Sequence, residues 1–323
     1  MTTINILGLD ISKAKVDCAL LVQGKVKSKV IANTTAGFET LNHWLQKHQA
    51  GTVHACCEAT GNYWEALALA LHEAGHTVSV VNPLRIAAYA KAHLLRAKTD
   101  AVDARLIARF CAREQPEPWS PPPAEERTLL ALLRDLHNLQ TLQQAETNRL
   151  AVAHAAVRPR IQRHLTFLSH EIQQLRKAIE DHIHRHQHLR GRRDLLNSVP
   201  GLGEATIPWL LAYLGDGLRF ESAKQVAAFA GLAPRLRQSG TYMAKTRIAK
   251  SGHADLRYAL YMPAVVAYSR CAVFKPFVQR LKAAGKPPKV IIVALMRKLI
   301  TIAQAVLKSG RPFEHSLQNT CIT

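Results

Sequence analysis

Acidic residues and aromatic residues are both scarce in this chain of 323 residues. It carries 23 aspartates and glutamates against 43 lysines and arginines, so its formal net charge at pH 7 is +20. A surplus of this size favours a polyanionic partner, most simply nucleic acid held through its phosphates, over a cationic surface that has no specific partner. Because aromatic residues make up only 6% of the chain, stacking platforms for single strands are few.

Paired cysteine motifs and long apolar runs are also lacking. None of the six cysteines forms C-x-x-C, and most lie in apolar surroundings, which is typical of reduced thiols in a cytosolic protein. The first residues show no basic-then-apolar signal pattern. The longest aliphatic stretch near the end, residues 290–296, is far shorter than the about 20 residues that a membrane span needs. We therefore expect a cytoplasmic, nucleoid-associated bacterial protein with no membrane partner.

The first 120 residues predict a mixed α/β domain. Apolar and alternating stretches predict five strands. Helical patterns predict one helix before the fourth strand and three helices after it. The strands are predicted at residues 3–11, 15–22, 25–32, 53–58 and 77–81, and the later helices at 63–74, 84–95 and 100–113.

Four acidic residues stand at informative positions in this domain. Asp10 falls inside the first strand and Glu58 ends the fourth, while Asp100 and Asp103 are three apart and share a helix face. An acid in an apolar strand is costly unless a partner or a metal compensates it. Oxygen ligands from several segments suit Mg²⁺, with Mn²⁺ as a substitute, and two such ions can clamp both oxygens of a phosphodiester displacement. The alternative is that each acid is an ordinary cap or salt-bridge partner.

A proline-rich linker, residues 116–123, leads into a long helical region. Leucines from residue 129 to 139 step by three and four, and after Pro159 apolar residues from 161 to 179 repeat the coiled-coil spacing. Pro159 predicts a break into two helices, which form either an antiparallel hairpin within one chain or a dimerising arm. The histidines at 182, 184, 186 and 188 indicate a basic helix end rather than a metal site.

The last third predicts further helices and a glycine turn. Gly201 and Gly203 lie in P-G-L-G just before an apolar helix at 205–214. Such a turn bares backbone N–H groups to an anion, and it resembles the hairpin of helix-hairpin-helix proteins that grip DNA phosphates. More helices are predicted at 220–232, 264–284 and 288–308.

A cation-rich segment surrounds Ser239. Its basic residues are Arg235, Arg237, Lys245, Arg247 and Lys250. These charges can hold a phosphate and stabilise a pentavalent transition state, although a serine beside glycine is more often an ordinary turn residue. A serine nucleophile needs a base or a metal to take its proton. His253 is the only histidine near it in sequence, so metal activation is the better candidate.

Motifs along most of the chain resemble known DNA-processing proteins. The order β-β-β-α-β-α-β-α and the acids resemble ribonuclease-H-like nucleases of the Holliday-junction-resolvase type, in which the first and fourth strands are neighbours. L-G-L-D-I-S-K at 7–13 and K-T-D-A-V-D-A-R at 98–105 are similar to the amino-terminal domain of the IS110 family of insertion-sequence transposases. A-A-F-A-G-L-A-P at 227–234, Q-S-G at 238–240 and K-S-G-H-A-D-L-R-Y-A-L-Y-M-P at 250–263 resemble its carboxy-terminal domain.

The family resemblance implies roles for these residues. Asp10, Glu58, Asp100 and Asp103 would bind Mg²⁺, and Ser239 would be the nucleophile that forms a phosphoserine link with DNA. The two domains would build one composite site within a homodimer or homotetramer. A structured guide RNA encoded by the element would select the donor and target DNA.

The expected architecture is α/β plus α in three parts. Residues 1–120 would form the ribonuclease-H-like metal-binding domain, 121–190 a helical coiled-coil arm, and 191–323 a mainly helical transposase domain with the serine and a helix-hairpin-helix-like element. Two other functions stay open: a metal-dependent, structure-selective endonuclease acting by hydrolysis, and an inactive protein that bridges DNA or packages RNA.

Overall fold

The computed structural model describes residues 5–93, 100–235, 238–239, 242–243 and 247–314. The chain forms two compact units, Met1–Pro121 and Pro122–Thr323. The combination of a five-stranded sheet with many helices confirms the predicted α/β plus α class.

The first unit is a sheet with helices on both faces. Its elements are β1 (Asn5–Ile11), β2 (Lys15–Val22), β3 (Lys25–Ala32), α1 (Thr35–Lys47), β4 (Val53–Glu58), α2 (Glu65–Glu73), β5 (Thr77–Val81), α3 (Pro83–Ala92) and α4 (Asp100–Glu114). The strand order is β3-β2-β1-β4-β5, with β1, β2 and β3 antiparallel and β4 and β5 parallel to β1. All five predicted strands are present.

The alternation of side chains along β1 separates two apolar cores. Leu7 and Leu9 point to the face covered by α1 and α2, whereas Ile6 packs with α3 and α4. Successive strand residues face opposite sides, so Gly8 and Asp10 share the Ile6 face. The face that carries Asp10 is therefore the one that α4 covers.

The second unit is mainly helical. Its elements are α5 (Ala124–Val152), α6 (Arg158–Arg185), α7 (Gln187–Asn197), α8 (Ile207–Leu214), α9 (Ala223–Phe229), β6 (Pro234–Arg235), β7 (Gln238–Ser239), β8 (Tyr242–Met243), β9 (Arg247–Ile248), α10 (Ala254–Ser269), α11 (Lys275–Ala283) and α12 (Pro288–Ser309).

Helices α5 and α6 form an antiparallel hairpin within one chain. Gln143 Nε2 donates to Ser169 Oγ over 2.9 Å, and the ring of His182 lies 2.9 Å from the carbonyl oxygen of Glu125 near the other end. The predicted apolar repeat supplies the buried contact, as Leu168 and Ile172 are 2% and 4% exposed. The break falls at residues 153–157, just before Pro159 in the first turn of α6.

The base of this hairpin belongs to the core of the second unit. Leu129 and Leu133 of α5 pack with Ile183 of α6 and with the helices that follow. A buried ion pair between Glu126 Oε1 and Arg192 Nη1, 2.7 Å apart, joins α5 to α7. The boundary predicted at residue 190 falls inside α7.

Helix α10 corrects the helix predicted at 264–284. It begins at Ala254, runs through Pro263 and ends at Ser269, and α11 starts only at Lys275. Proline cannot donate to the carbonyl four residues earlier, which is that of Ala259. Thr206 Oγ1 donates to that oxygen over 3.1 Å instead, so the helix continues without an unsatisfied buried carbonyl.

Helix α12 belongs to the core of the second unit. By length and composition it is the one helix in the described part of the chain that could cross a membrane. Leu295, Leu299 and Ala303 are fully buried, and the helix packs with α9 and α10. The apolar composition of α12 is thus that of a core helix.

Candidate active site

Asp10 and Glu58 lie at the same end of two adjacent parallel strands. In the register of β1 and β4, Leu9 pairs with Cys57, so each acid is the next residue along its own strand. Both side chains are half-buried. The adjacency of the first and fourth strands, which only the resemblance implied, is confirmed.

Helix α4 brings Asp103 towards this end of the sheet. The helix packs on β1, β2 and β4, with Ala104 and Ala108 over Gly8 and the Cys111 thiol 3.9 Å from the carbonyl oxygen of His54. His54 pairs with Ile6, at the opposite end of β1 from Asp10. The amino-terminal end of α4 therefore lies at the carboxyl ends of β1 and β4, and Asp103 is half-buried there.

These carboxylates are a donor set that suits a hard divalent cation. Asp10, Glu58 and Asp103 reach one edge of the unit from three separate elements. Asp100 is the first residue of α4, but the side chain of Asp100 lies outside the described part of the chain. Among the side chains that are described, no three histidine, cysteine, aspartate or glutamate groups are close enough to hold a metal ion.

Asp17 is a fifth carboxylate near the site, outside the four acids predicted to bind a metal, because its place in the middle of the β-hairpin argued against a role. It lies directly opposite Asp10 in the β1–β2 ladder and is 7% exposed. Its Oδ2 is 3.1 Å from Lys15 Nζ, so a cation already compensates it. Directly opposed residues share a face of the sheet, so the Asp17–Lys15 ion pair lies beside Asp10. The alternation of β2 with the short turn before it was the signal for this pairing.

Three thiols around this site, those of Cys18, Cys56 and Cys57, are protonated at neutral pH. Burial, and then the charge of Glu58, raises the pKa of Cys57 to about 12. A hydrogen bond with Cys111 and burial raise the pKa of Cys56. Burial also raises the pKa of Cys18 to about 12. Because the thiolate is the reactive form, these three cysteines are core residues and not nucleophiles.

Ser239 lies in a small β-hairpin of the second unit. Strand β7 pairs with β8, and Ser239 pairs with Tyr242. The flanking strands β6 and β9 also pair, with Pro234 opposite Ile248 and Arg235 opposite Arg247. Arg237, Lys245 and the Ser239 side chain lie outside the described part of the chain, so the predicted cation pocket remains a prediction.

Two glycines fix the base of this hairpin. A Cβ on Gly252 would overlap the carbonyl oxygen of Phe229 and the nitrogen of Gly231, so the two segments touch backbone to backbone. The N–H groups of Lys250 and His253 donate to the carbonyls of Gly231 and Phe229 over 3.1 and 3.0 Å. The motif that precedes the serine and the motif that follows it are therefore held together at this point.

His253 is a weak candidate for the base that activates the serine. Its ring is flanked by Tyr213 and Phe229, with centroids 4.8 and 4.3 Å away, while the residue keeps contact with solvent. Desolvation, and then the charge of Arg219, lowers the pKa of His253 below its usual 6.5. The ring is neutral at pH 7, but its lowered basicity reduces the driving force for taking a proton.

Hydrogen bonds within the glycine turn before α8 already engage some of its backbone N–H groups. Gly201 has a φ of 90°, a conformation that favours glycine. The N–H groups of Thr206 and Ile207 donate to the carbonyl of Gly203 over 2.8 and 3.0 Å. Those two donors are thus engaged, and a phosphate would have to bind to the N–H groups that precede them. The role of Gly201 and Gly203 remains a prediction.

Comparison with known proteins places these features in a family. Residues 7–159 match the DEDD-type IS110 transposase family, and residues 193–279 match the Transposase IS116/IS110/IS902 family. The chain is 41% identical over 314 residues to the pilin gene-inverting protein of Moraxella bovis, covering 95% of this chain and 97% of that protein. It is 26% identical over 296 residues to the transposase for insertion sequence element IS1111A of Coxiella burnetii, covering 80% and 77%.

The two matches follow the two groups of motifs in chain order, and the full-length relative spans both units. The chain belongs to the IS110/IS116/IS902 family of transposases and is a DNA recombinase or transposase.

Proposed function

We propose that this enzyme cuts and rejoins DNA through a covalent link between Ser239 and a DNA phosphate, assisted by Mg²⁺. The observation that carries the proposal is the pairing of two features in one chain. One is a set of carboxylates at the carboxyl ends of β1 and β4, and the other is a serine on a hairpin in a cation-rich segment. A hydrolytic nuclease needs the first feature but not the second.

The first unit would act as a ribonuclease-H-like metal domain of the Holliday-junction-resolvase type. Its strand order and the packing of α4 beside β1 support this assignment. Asp10, Glu58, Asp100 and Asp103 would hold Mg²⁺ or Mn²⁺, and the Asp17–Lys15 ion pair lies next to Asp10. The bound cation would lower the cost of charge on the attacking and leaving oxygens.

The serine step conserves the energy of the phosphodiester. Ser239 Oγ loses its proton and attacks phosphorus, and the DNA oxygen that leaves takes up a proton. A DNA hydroxyl then attacks the phosphoserine, which restores a diester and frees the serine. No nucleotide triphosphate is needed, because one phosphate ester replaces another. The lowered basicity of His253 favours metal-assisted removal of the serine proton over general-base catalysis by this ring.

The cations of the second unit would hold the reacting phosphate. Arg235 and Arg247 occupy directly opposed backbone positions of β6 and β9, and both guanidinium groups would bind this phosphate. Lys250, which is exposed at the hairpin base, and Arg237 and Lys245 would add to the field. Gly201 and Gly203 would support a second phosphate.

DNA is the substrate of this family, and the finer partners are part of the proposal. A net charge of +20 suits simultaneous binding of donor DNA, target DNA and a structured guide RNA. The enzyme would act as a homodimer or homotetramer in the bacterial cytoplasm, associated with the nucleoid. The name of the Moraxella bovis relative suggests that inversion of a DNA segment is one possible outcome of the reaction.

The test is a denaturing gel with labelled junction DNA, Mg²⁺ and RNA that copurifies with the protein. Wild type should yield a protease-sensitive covalent adduct that Ser239→Ala abolishes. Cleaved DNA ends without adduct in both proteins would instead support the hydrolytic endonuclease, with Ser239 as a phosphate ligand only.

A further inference from the structure

A cavity of about 640 Å³ opens in the second unit. It lies between the base of the α5–α6 hairpin and helices α7, α8 and α10, and Ile179, Ile207 and Trp209 form part of its apolar wall. It contains none of the residues assigned to the reaction above. Its rim includes Glu204, which directly follows Gly203 of the glycine turn.

The charges that line the cavity balance each other. Arg176 and Arg193 are matched by Glu180 and Glu204, although the whole chain has nearly twice as many basic as acidic residues. Arg193 is also engaged by His184, whose Nε2 lies 3.0 Å from Arg193 Nη1. The lining therefore suits a neutral group with hydrogen-bonding edges better than a phosphate.

One side of the cavity carries two rings in edge-to-face contact. The rings of His137 and Tyr258 have centroids 4.4 Å apart, and Tyr258 is 55% exposed. Nδ1 of His137 is buried and has no hydrogen-bond partner within the described part of the chain. Buried polar atoms are normally paired, so this nitrogen is an exception within the cavity wall.

We propose that the cavity binds one unpaired nucleobase of a nucleic-acid strand bound by this enzyme. The base would stack on Tyr258, and the amides of Gln140 and Asn197 would face its polar edge. Glu180 and Glu204 can accept hydrogen bonds from exocyclic amino groups. The volume lies within the range of small-ligand pockets. The proposal rests on the proposed function only in taking nucleic acid as the partner.

The test uses the full-length protein in EDTA, so that Mg²⁺-dependent cleavage does not interfere. The probes are a single-stranded DNA and a single-stranded RNA, each containing one 2-aminopurine, whose fluorescence falls when it stacks. Wild type and Tyr258→Phe should quench the probe, and Tyr258→Ala should bind it about tenfold more weakly. Tyr261→Ala is the matched control, since Tyr261 is 48% exposed on the same helix and does not line the cavity.

Quenching with the DNA probe alone, or with the RNA probe alone, supports the proposal and identifies the strand. Equal binding and quenching by Tyr258→Ala and Tyr261→Ala overturns it. The Ser239 adduct is assayed separately. A wild type that forms the adduct while Tyr258→Ala behaves like wild type refutes the base site alone, and Tyr258-dependent quenching without any adduct refutes the serine chemistry alone.

Discussion

Gly8 on β1 lies against the backbone of Ala104 on α4, so closely that a Cβ atom at residue 8 would overlap the Ala104 carbonyl oxygen and the Ala108 nitrogen. The contact sets how near the amino-terminal end of α4 comes to Asp10. The L-G-L-D pattern places the glycine and the acid on one face of β1, because they are two residues apart. The position of Asp103 thus depends on a residue with no side chain.

Gly8→Val should displace α4 and destabilise the first unit. Overpacking typically costs about 1–3 kcal/mol, and here the neighbour is backbone, which cannot rotate away. Thermal unfolding should show a lower midpoint, and Mg²⁺-dependent activity should be lost. Gly191→Ala is the control, because a Cβ there meets nothing within 4 Å. A Gly8→Val protein with wild-type stability and activity would contradict the role of this contact.

Mg²⁺ should stabilise the wild-type protein, and Asp10→Asn should remove that effect. A ligand at one hundred times its Kd stabilises the folded state by about 2.7 kcal/mol, which raises Tm by a few degrees. Glu58→Gln should behave like Asp10→Asn, and the exposed Glu73→Gln should keep the wild-type response. Equal Mg²⁺-dependent shifts in all four proteins would place the cation elsewhere.

Two neighbouring residues separate the two possible roles of the hairpin. Leu168 is 2% exposed in the α5–α6 contact, whereas Phe167 is 58% exposed. Leu168→Asp should lower the free energy of unfolding by several kcal/mol, because it buries a charge in an apolar seam. Phe167→Asp should leave stability unchanged. If the hairpin also pairs subunits, light scattering should report a smaller mass for Phe167→Asp; an unchanged mass would exclude this face as the contact.

His253 should make stability depend on pH below neutrality. Its pKa is lowered in the folded protein, so its contribution is present above the usual pKa of 6.5 and is lost as the pH falls below it. We expect that replacing His253 with asparagine will make the free energy of unfolding, measured with urea, depend less on pH between 6.5 and 4.5. Since the ring keeps contact with solvent, the change is smaller than for a buried histidine. His170→Asn, at an exposed position of α6, should leave the slope unchanged.

Local periodicity was enough to predict the strands and the two long helices, but it left open whether those helices pair within one chain or between subunits. The apolar repeat of residues 161–179 is evident in the sequence, and most of its side chains are buried within the chain. Only the resemblance predicted that Asp10 and Glu58 are neighbours. The spacing of residues in the sequence does not show which distant strands pair. Pro263 misled the helix prediction for a related reason. Its compensating donor, Thr206, lies far away in sequence and becomes a neighbour only in the fold.

The most direct test of the account is to find which residue carries DNA after the reaction. The stalled complex is digested with nuclease and trypsin, and the peptide of residues 238–245 is sequenced by mass spectrometry. The account predicts a nucleotide on Ser239 and not on Thr241 or Tyr242, which the same peptide contains. A nucleotide on another residue, or cleaved DNA with no modified peptide, would contradict it.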